Sequence, residues 1–184
     1  MKTKILSNHV HDAHSAYREQ NQDLSAGLHV SASDDTYAMS SKPITLLGDA
    51  TAEWPSSPDE ATLETFPNRN PDRDYWVLCD FPEFCSLCPV TGQPDTARIR
   101  IQYQPAVNCI ETKSLKFYLS SFRNHALFNE DIVNKILTDL CDAVSPVSMK
   151  VRGDFSARGG ISLTAQAVYP KGADNAPMQV ESEN

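Results

Sequence analysis

The sequence is short of positive charge. Its 16 lysines and arginines face 24 aspartates and glutamates, giving a net charge of -8 and a pI near 5.0. A strong, sequence-independent grip on nucleic-acid phosphate needs clustered cations, so this balance argues against one. It leaves room for a small nucleotide held by a few local Lys or Arg. Long apolar runs are also missing; none approaches the roughly 20 residues of a membrane-spanning helix. Lys2 and Lys4 are followed by no apolar stretch, which argues against a signal peptide. Cysteine is sparse and odd in number, five in all, which does not suit a paired secreted framework. A reduced, cytoplasmic protein without membrane attachment is the expectation. Hydrophobic residues make up a lean 40%, so part of the chain should lie outside a single packed domain.

Residues 1–42 are rich in Ser, Asp, Asn, Gln and His and show no sustained period. They read as a disordered leader. His9, His11, His14 and His29 fall here, with His125 the exception. They lack Cys or carboxylate at ligand spacing, so no metal site is expected. The folded domain is expected over 43–172, and 173–184 read as a loose polar tail.

Within the domain, Pro55, Pro58, Pro67 and Pro71 mark an irregular lead-in. Tyr75–Phe81 has strand character, interrupted by Pro82. Pro89–Asp95 reads as a turn. Ala97, Ile99, Ile101 and Tyr103 then alternate with Arg98, Arg100 and Gln102, the pattern of a half-buried strand. Leu115, Leu119 and Phe122 share one face of a helix over 111–124. Ile132, Ile136 and Leu140 do the same over 129–144, with Asn129 as N-cap and Glu130 and Asp131 in the first turn. Pro146 ends that helix. Strands over 147–155 and 161–169 follow, joined through Arg158-Gly159-Gly160. The order ββααββ predicts an α+β unit, a four-stranded antiparallel sheet with two helices on one face. Such a unit has open edges that invite a second copy, so a homo-oligomer is expected.

Chemistry is suggested first by Cys88, at a strand–turn junction in Cys85-Ser86-Leu87-Cys88-Pro89. Asp95 lies seven residues on, across a loop with Gly92 and Pro94. A thiol beside an acid suits covalent chemistry: the thiolate attacks and the acid delivers a proton. Taken alone, the pair reads equally as a small buried hydrophobe and a turn aspartate. Cys85 and Cys88 also form half of a zinc site, but no second pair follows. Lys113 and Lys116 lie on one face near a helix start, where cations oppose the dipole unless an anion is bound. A solvated basic face is the bland alternative. Arg158 with Gly159 offers a second phosphate contact or simply a hairpin turn. Glu130 can accept two parallel N–H bonds from a guanine-like edge, or merely start a helix.

Together these segments resemble the QueF family of the tunnelling-fold (T-fold) superfamily, from about Ile44 to about Tyr169. The stretches that carry the resemblance are Glu64-Thr65-Phe66-Pro67-Asn68, Ser86 to Asp95, Glu111 to Tyr118, Ser121-Phe122-Arg123-Asn124-His125 and Arg158 to Ser162. The resemblance implies reduction of the nitrile of 7-cyano-7-deazaguanine to an aminomethyl group with NADPH, a step in queuosine tRNA modification. It implies Cys88 as the nucleophile forming a covalent thioimide and Asp95 as proton donor. It implies Ile110, Glu111, Thr112, Asn129 and Glu130 at the substrate, and Lys113, Lys116, Arg158 and Gly159 at the cofactor. It also implies T-folds assembled into rings, with sites between subunits. Asn129 departs from the family's usual His, and Asn cannot carry a proton. Thr112 stands where Ser is usual, and the leader is extra. Two other readings stay open: a QueF-like amidinotransferase acting on a nucleic-acid nitrile, and a catalytically silent purine-binding T-fold.

Overall fold

The computed structural model describes residues 44–46 and 53–173, and the expected leader and most of the expected tail lie outside them. Strands β1 (Thr65–Pro67), β2 (Val77–Leu87), β3 (Pro94–Gln104) and β4 (Asn108–Ile110) lead into helix α1 (Thr112–Ser121). A 3-10 turn (Phe122–Asn124), helix α2 (Asn129–Val144) and strands β5 (Ser148–Arg158) and β6 (Ile161–Tyr169) complete the order. Four strands form one antiparallel sheet in the order β2-β3-β5-β6. The expected ββααββ unit is therefore present, and both helices contribute to a single core against the sheet. Ile99, Ile101 and Tyr103 of β3 pack there with Leu115 and Leu119 of α1 and Ile132, Ile136 and Leu140 of α2. No helix among the described residues is long and apolar enough to cross a membrane.

Several local expectations change. A small second sheet, β1 paired with β4, was not foreseen; three-residue strands carry too little period to read. β2 does not stop at Pro82. The register with β3 shifts between Phe81 and Phe84, so the strand absorbs the proline in a bulge. This is possible because β2 is an edge strand, where the missing N–H of proline breaks no ladder bond. The bulge also reverses which residues face the core. Val77, Cys79 and Phe81 lean inward before it, and Phe84 and Ser86 after it. Asn129 is not the cap of α2. Phe128, extended at φ -67 and ψ 147, occupies that position without a side-chain bond, and Asn129 is the first helical residue. Glu130 and Asp131 sit in the first turn as expected. The helix ends at Ser145, left-handed at φ 46, one residue before Pro146.

Gly153, in the middle of β5, lets α2 approach the sheet. A Cβ there would lie 2.8 Å from Phe155 Cε2, 3.0 Å from Val133 Cγ2 and 3.1 Å from Ile99 Cδ1. Those side chains are themselves buried, so none can swing away freely. Gly153→Ala should therefore lower unfolding stability by about 1–3 kcal/mol through overpacking. Chemical denaturation of the two proteins would measure it, and equal midpoints would show that the core yields more easily than its packing implies.

Candidate active site

The sequence-predicted residues gather at two places. The first is where β2 hands over to β3. Cys88 follows directly on β2, and the chain then folds back on itself. The Cys88 N–H donates to the Gln93 carbonyl at 2.9 Å, and the Gly92 N–H donates to the Cys88 carbonyl at 2.9 Å. Gly92 takes φ +68, which a side chain would resist. Pro94 then opens β3, so Asp95 becomes its second residue. Asp95 points inward, opposite Ser86 in the ladder, and is only 6% exposed. The Ser86 hydroxyl is fully buried and has no hydrogen-bond partner.

Antiparallel pairing of β3 with β5 brings the end of β5 to the same place, and Arg158 is its last residue. Arg158 Nη1 donates to both Asp95 oxygens, at 2.7 and 2.9 Å. Its Nη2 donates to Gln93 Oε1 at 3.1 Å and Thr91 Oγ1 at 3.3 Å. The donors available to the Cys88 sulfur are the Thr91 hydroxyl, the Thr91 and Val90 N–H groups and the Arg158 guanidinium. These donors favour the thiolate and bring Cys88 down to about 6 from an ordinary 9.0. Burial has the opposite effect elsewhere: it pushes Cys79 up, and Cys141 up to about 11. All five cysteines are free thiols. The surroundings of Cys88 thus favour its thiolate, a property that spacing alone does not reveal.

Asn129 and Glu130 belong near this first place. The Leu87 N–H donates to the His125 carbonyl at 3.1 Å, and the Leu127 N–H donates to the Leu87 carbonyl at 3.2 Å. The chain from His125 therefore runs alongside the residue before Cys88, and α2 begins two residues after Leu127. Glu130 is exposed there. The Asn129 Oδ1 is buried without a donor.

Ile110, Glu111, Thr112, Lys113 and Lys116 lie elsewhere. The Ile110 N–H donates to the Tyr103 hydroxyl at 3.0 Å, which ties this segment to the far end of β3. Eight residues separate Asp95 from Tyr103, or about 25 Å of strand. Glu111 is the N-cap of α1. Its buried carboxylate accepts from the Lys113 N–H at 2.8 Å and the Ser114 N–H at 2.7 Å. The free helix N–H groups expected for a phosphate are therefore already bound at these two positions. The side chains are a different matter. Lys113 Nζ bonds the Leu46 carbonyl and lies 5.8 Å from the Phe117 ring centre. Lys116 and Arg123 sit 5.6 and 5.8 Å from the Trp54 ring centre. Trp54 packs against Phe117, ring centres 4.6 Å apart and tilted by 59°. Three cations around one aromatic pair suit a polyanionic, planar ligand. Trp54 has no spacing pattern to betray it in the sequence, and Arg123 and Thr91 stand there only within the stretches that carry the family resemblance, without a role of their own.

Comparison with known proteins adds to this geometry. Residues 94–174 match the family model described as QueF-like protein. A Bacteroides fragilis protein named NADPH-dependent 7-cyano-7-deazaguanine reductase is 51% identical over 126 residues, covering 68% of this chain and 83% of that protein. Proteins of the same name from Porphyromonas gingivalis and Neisseria meningitidis serogroup B are 49% and 48% identical, with 84% and 82% of their lengths covered. A solved archaeosine synthase QueF-Like structure in the apo form aligns at a TM-score of 0.48 and 22% identity, over 50% of this chain and 91% of that one.

Proposed function

This chain belongs to the QueF family, and on that premise we propose how its residues carry the family's chemistry. The reaction is the NADPH-dependent reduction of the nitrile of 7-cyano-7-deazaguanine to an aminomethyl group, in queuosine biosynthesis. The observation that carries the assignment of roles is the convergence of Cys88, the buried Asp95 and Arg158 on the closed turn between β2 and β3. Cys88 adds to the nitrile carbon: the S–C bond forms, and one C–N π pair moves to nitrogen. Asp95 delivers the proton to that nitrogen, leaving a thioimide. An ion-paired carboxylate is only an acceptor, so Arg158 must loosen its hold on Asp95 and the carboxylate must first take up a proton from solvent, which it then passes to the nitrogen.

Two molecules of NADPH, bound in turn, would supply one hydride each, as a four-electron reduction needs. Lys113 and Lys116 hold its phosphates, with Arg158 and the Gly159 backbone contributing. Glu130 accepts the paired N–H groups of the guanine-like edge. The orphaned Asn129 Oδ1 accepts from the substrate as well. Ile110, Glu111 and Thr112 line the substrate site through main chain and hydroxyl, since the Glu111 carboxylate is already engaged.

The start of α1 and the Cys88 turn stand at opposite ends of β3, so within one copy Glu111 and Thr112 lie far from Cys88. The site is therefore assembled between subunits, in a ring built through the open edges of β2 and β6. The partners are then a small 7-deazaguanine and further copies of this chain in the cytoplasm, not nucleic acid.

An NADPH-oxidation assay with the nitrile tests this reading. Lys113→Ala with Lys116→Ala should raise the apparent KM for NADPH tens-fold and that for the nitrile far less. The estimate follows from about 1.5–3 kcal/mol per charged hydrogen bond. Equal effects on both would make these lysines structural. A wild-type protein that forms the thioimide but never consumes NADPH would hand the assignment to the ammonia-transfer chemistry of a QueF-like amidinotransferase.

A further inference from the structure

The stretch Glu64-Thr65-Phe66-Pro67-Asn68 carries part of the family resemblance, yet the chemistry above gives Glu64 nothing to do. Glu64 is buried, only 8% exposed. Its backbone is tied to the start of α1. The Glu64 N–H donates to the Ser114 hydroxyl at 3.0 Å, and its carbonyl accepts from the Glu111 N–H at 2.9 Å. Its carboxylate serves a different segment. Oε1 accepts from the Thr45 N–H at 2.9 Å and from the Thr45 hydroxyl, and Oε2 accepts from the Leu46 N–H at 3.2 Å. Burial works to raise this carboxyl, but the Thr45 and Leu46 donors and the Lys113 charge together hold it below its ordinary value. Residues 44–46 lie in no helix or strand. The Leu46 carbonyl in turn accepts from Lys113 Nζ.

A lysine ammonium is a point charge on a flexible four-carbon stem, so a carbonyl that holds it decides where the charge sits. Regular structure does not fix the Leu46 carbonyl; the grip of Glu64 on the two neighbouring N–H groups does. We propose that Glu64 is a positioning residue for the cofactor site: its buried carboxylate clamps Thr45 and Leu46, and the Leu46 carbonyl then holds the Lys113 ammonium where a phosphate of NADPH meets it. This rests on Lys113 holding NADPH. Both carboxylate oxygens are needed. A carboxamide in their place keeps one acceptor and sets an NH2 against the other donor, so Thr45 or Leu46 loses its partner whichever way the amide turns.

The test compares wild type, Glu64→Gln, Lys113→Ala and the double variant, with thermal unfolding of each as the control for folding. Two readings are taken without the nitrile: hydrogen exchange of the peptide that carries Thr45 and Leu46, and the Kd for NADPH from its fluorescence. Glu64→Gln should speed exchange in that peptide and raise the Kd roughly two- to tenfold, the scale of one hydrogen bond. The double variant should match Lys113→Ala, because the carboxylate acts through that lysine. Unchanged exchange or an unchanged Kd in Glu64→Gln would overturn the proposal. So would effects that multiply in the double variant, since Glu64 would then act by another route. Thr45→Val removes one donor and leaves the carboxylate in place, and its Kd should rise about twofold. Where Glu64→Gln does not fold, Thr45→Val decides, and an unmoved Kd there sinks the clamp. Lys113→Ala alone separates this inference from the reading beneath it. A Kd equal to that of wild type takes the lysine out of the cofactor site, and both fall. A raised Kd beside a normal Glu64→Gln leaves the lysine in place and overturns only the role of Glu64.

Discussion

Cys88→Ala is expected to remove both the substrate-dependent absorbance band of a thioimide and all nitrile-dependent NADPH oxidation. The loss should be on the order of 10⁴-fold or more, the scale reached when a covalent nucleophile is deleted outright. No other group near Asp95 can take its place: Cys85 lies three residues back, on β2, and the other thiols sit in strands or in α2. Cys85→Ser should retain most activity under reducing conditions. The pair of variants makes the assignment sharp, because both thiols share one short motif. A dead Cys85→Ser beside an active Cys88→Ala would mean that the wrong sulfur has been chosen. The pH profile of adduct formation belongs with this experiment. Cys88 lies below its ordinary value, so the rate should climb through about 6 and then level off before neutral pH is far exceeded. A rate still climbing steeply above pH 8 would show that the donors around the sulfur do not hold it as a thiolate.

The second large effect concerns assembly. Cys88→Ala is expected to lack the nucleophile, and the Lys113→Ala, Lys116→Ala variant is expected to be nearly silent at low NADPH. Each has intact what the other has lost. If a working site takes its thiol from one subunit and its lysines from another, co-assembly should create sites with both. With random mixing of equal amounts, about one quarter of the sites are complete. Co-expression with distinguishable tags, followed by assay at low NADPH, should therefore recover activity from two inactive parents. Activity no higher than the sum of the parents, in a preparation shown to contain both chains, would place the whole site within one copy. Such a result would mean that α1, which begins beside Tyr103 and leads to His125 beside Leu87, brings the lysines back to the Cys88 turn within one copy.

Much of this was legible beforehand, and the misses have physical causes. The alternation of Ala97, Ile99, Ile101 and Tyr103 on β3 survives in full, because a half-buried antiparallel strand forces a period of two. The spacings of Leu115 with Leu119 and of Ile132 with Ile136 and Leu140 were equally faithful, since those residues face one core. Pro82 misled because a proline stops a central strand but not an edge strand with a bulge. Asn129 misled because capping preference was read from residue type, whereas the preceding backbone decides where a helix begins. Among the site residues, Cys88, Asp95 and Arg158 converge as the turn and hairpin pattern allowed. What no local pattern contained was their distance from Ile110 and Glu111, which join the far end of β3. That separation is a property of the register between β3 and its neighbours, and register is a long-range quantity.

Glu111 carries a lesson about inheritance. It stands at the head of a motif that marks the family, and its carboxylate is buried as the cap of α1, while Ser114 beside it bonds the Glu64 N–H and the Glu111 carbonyl. A descendant that lost Cys88, and with it the chemistry, would still need both residues to start that helix. Selection would then keep half of the motif in a silent copy. Persistence of Glu111 and Ser114 in a lineage would record the upkeep of a fold, and only Cys88 with the two lysines would record an enzyme still in use.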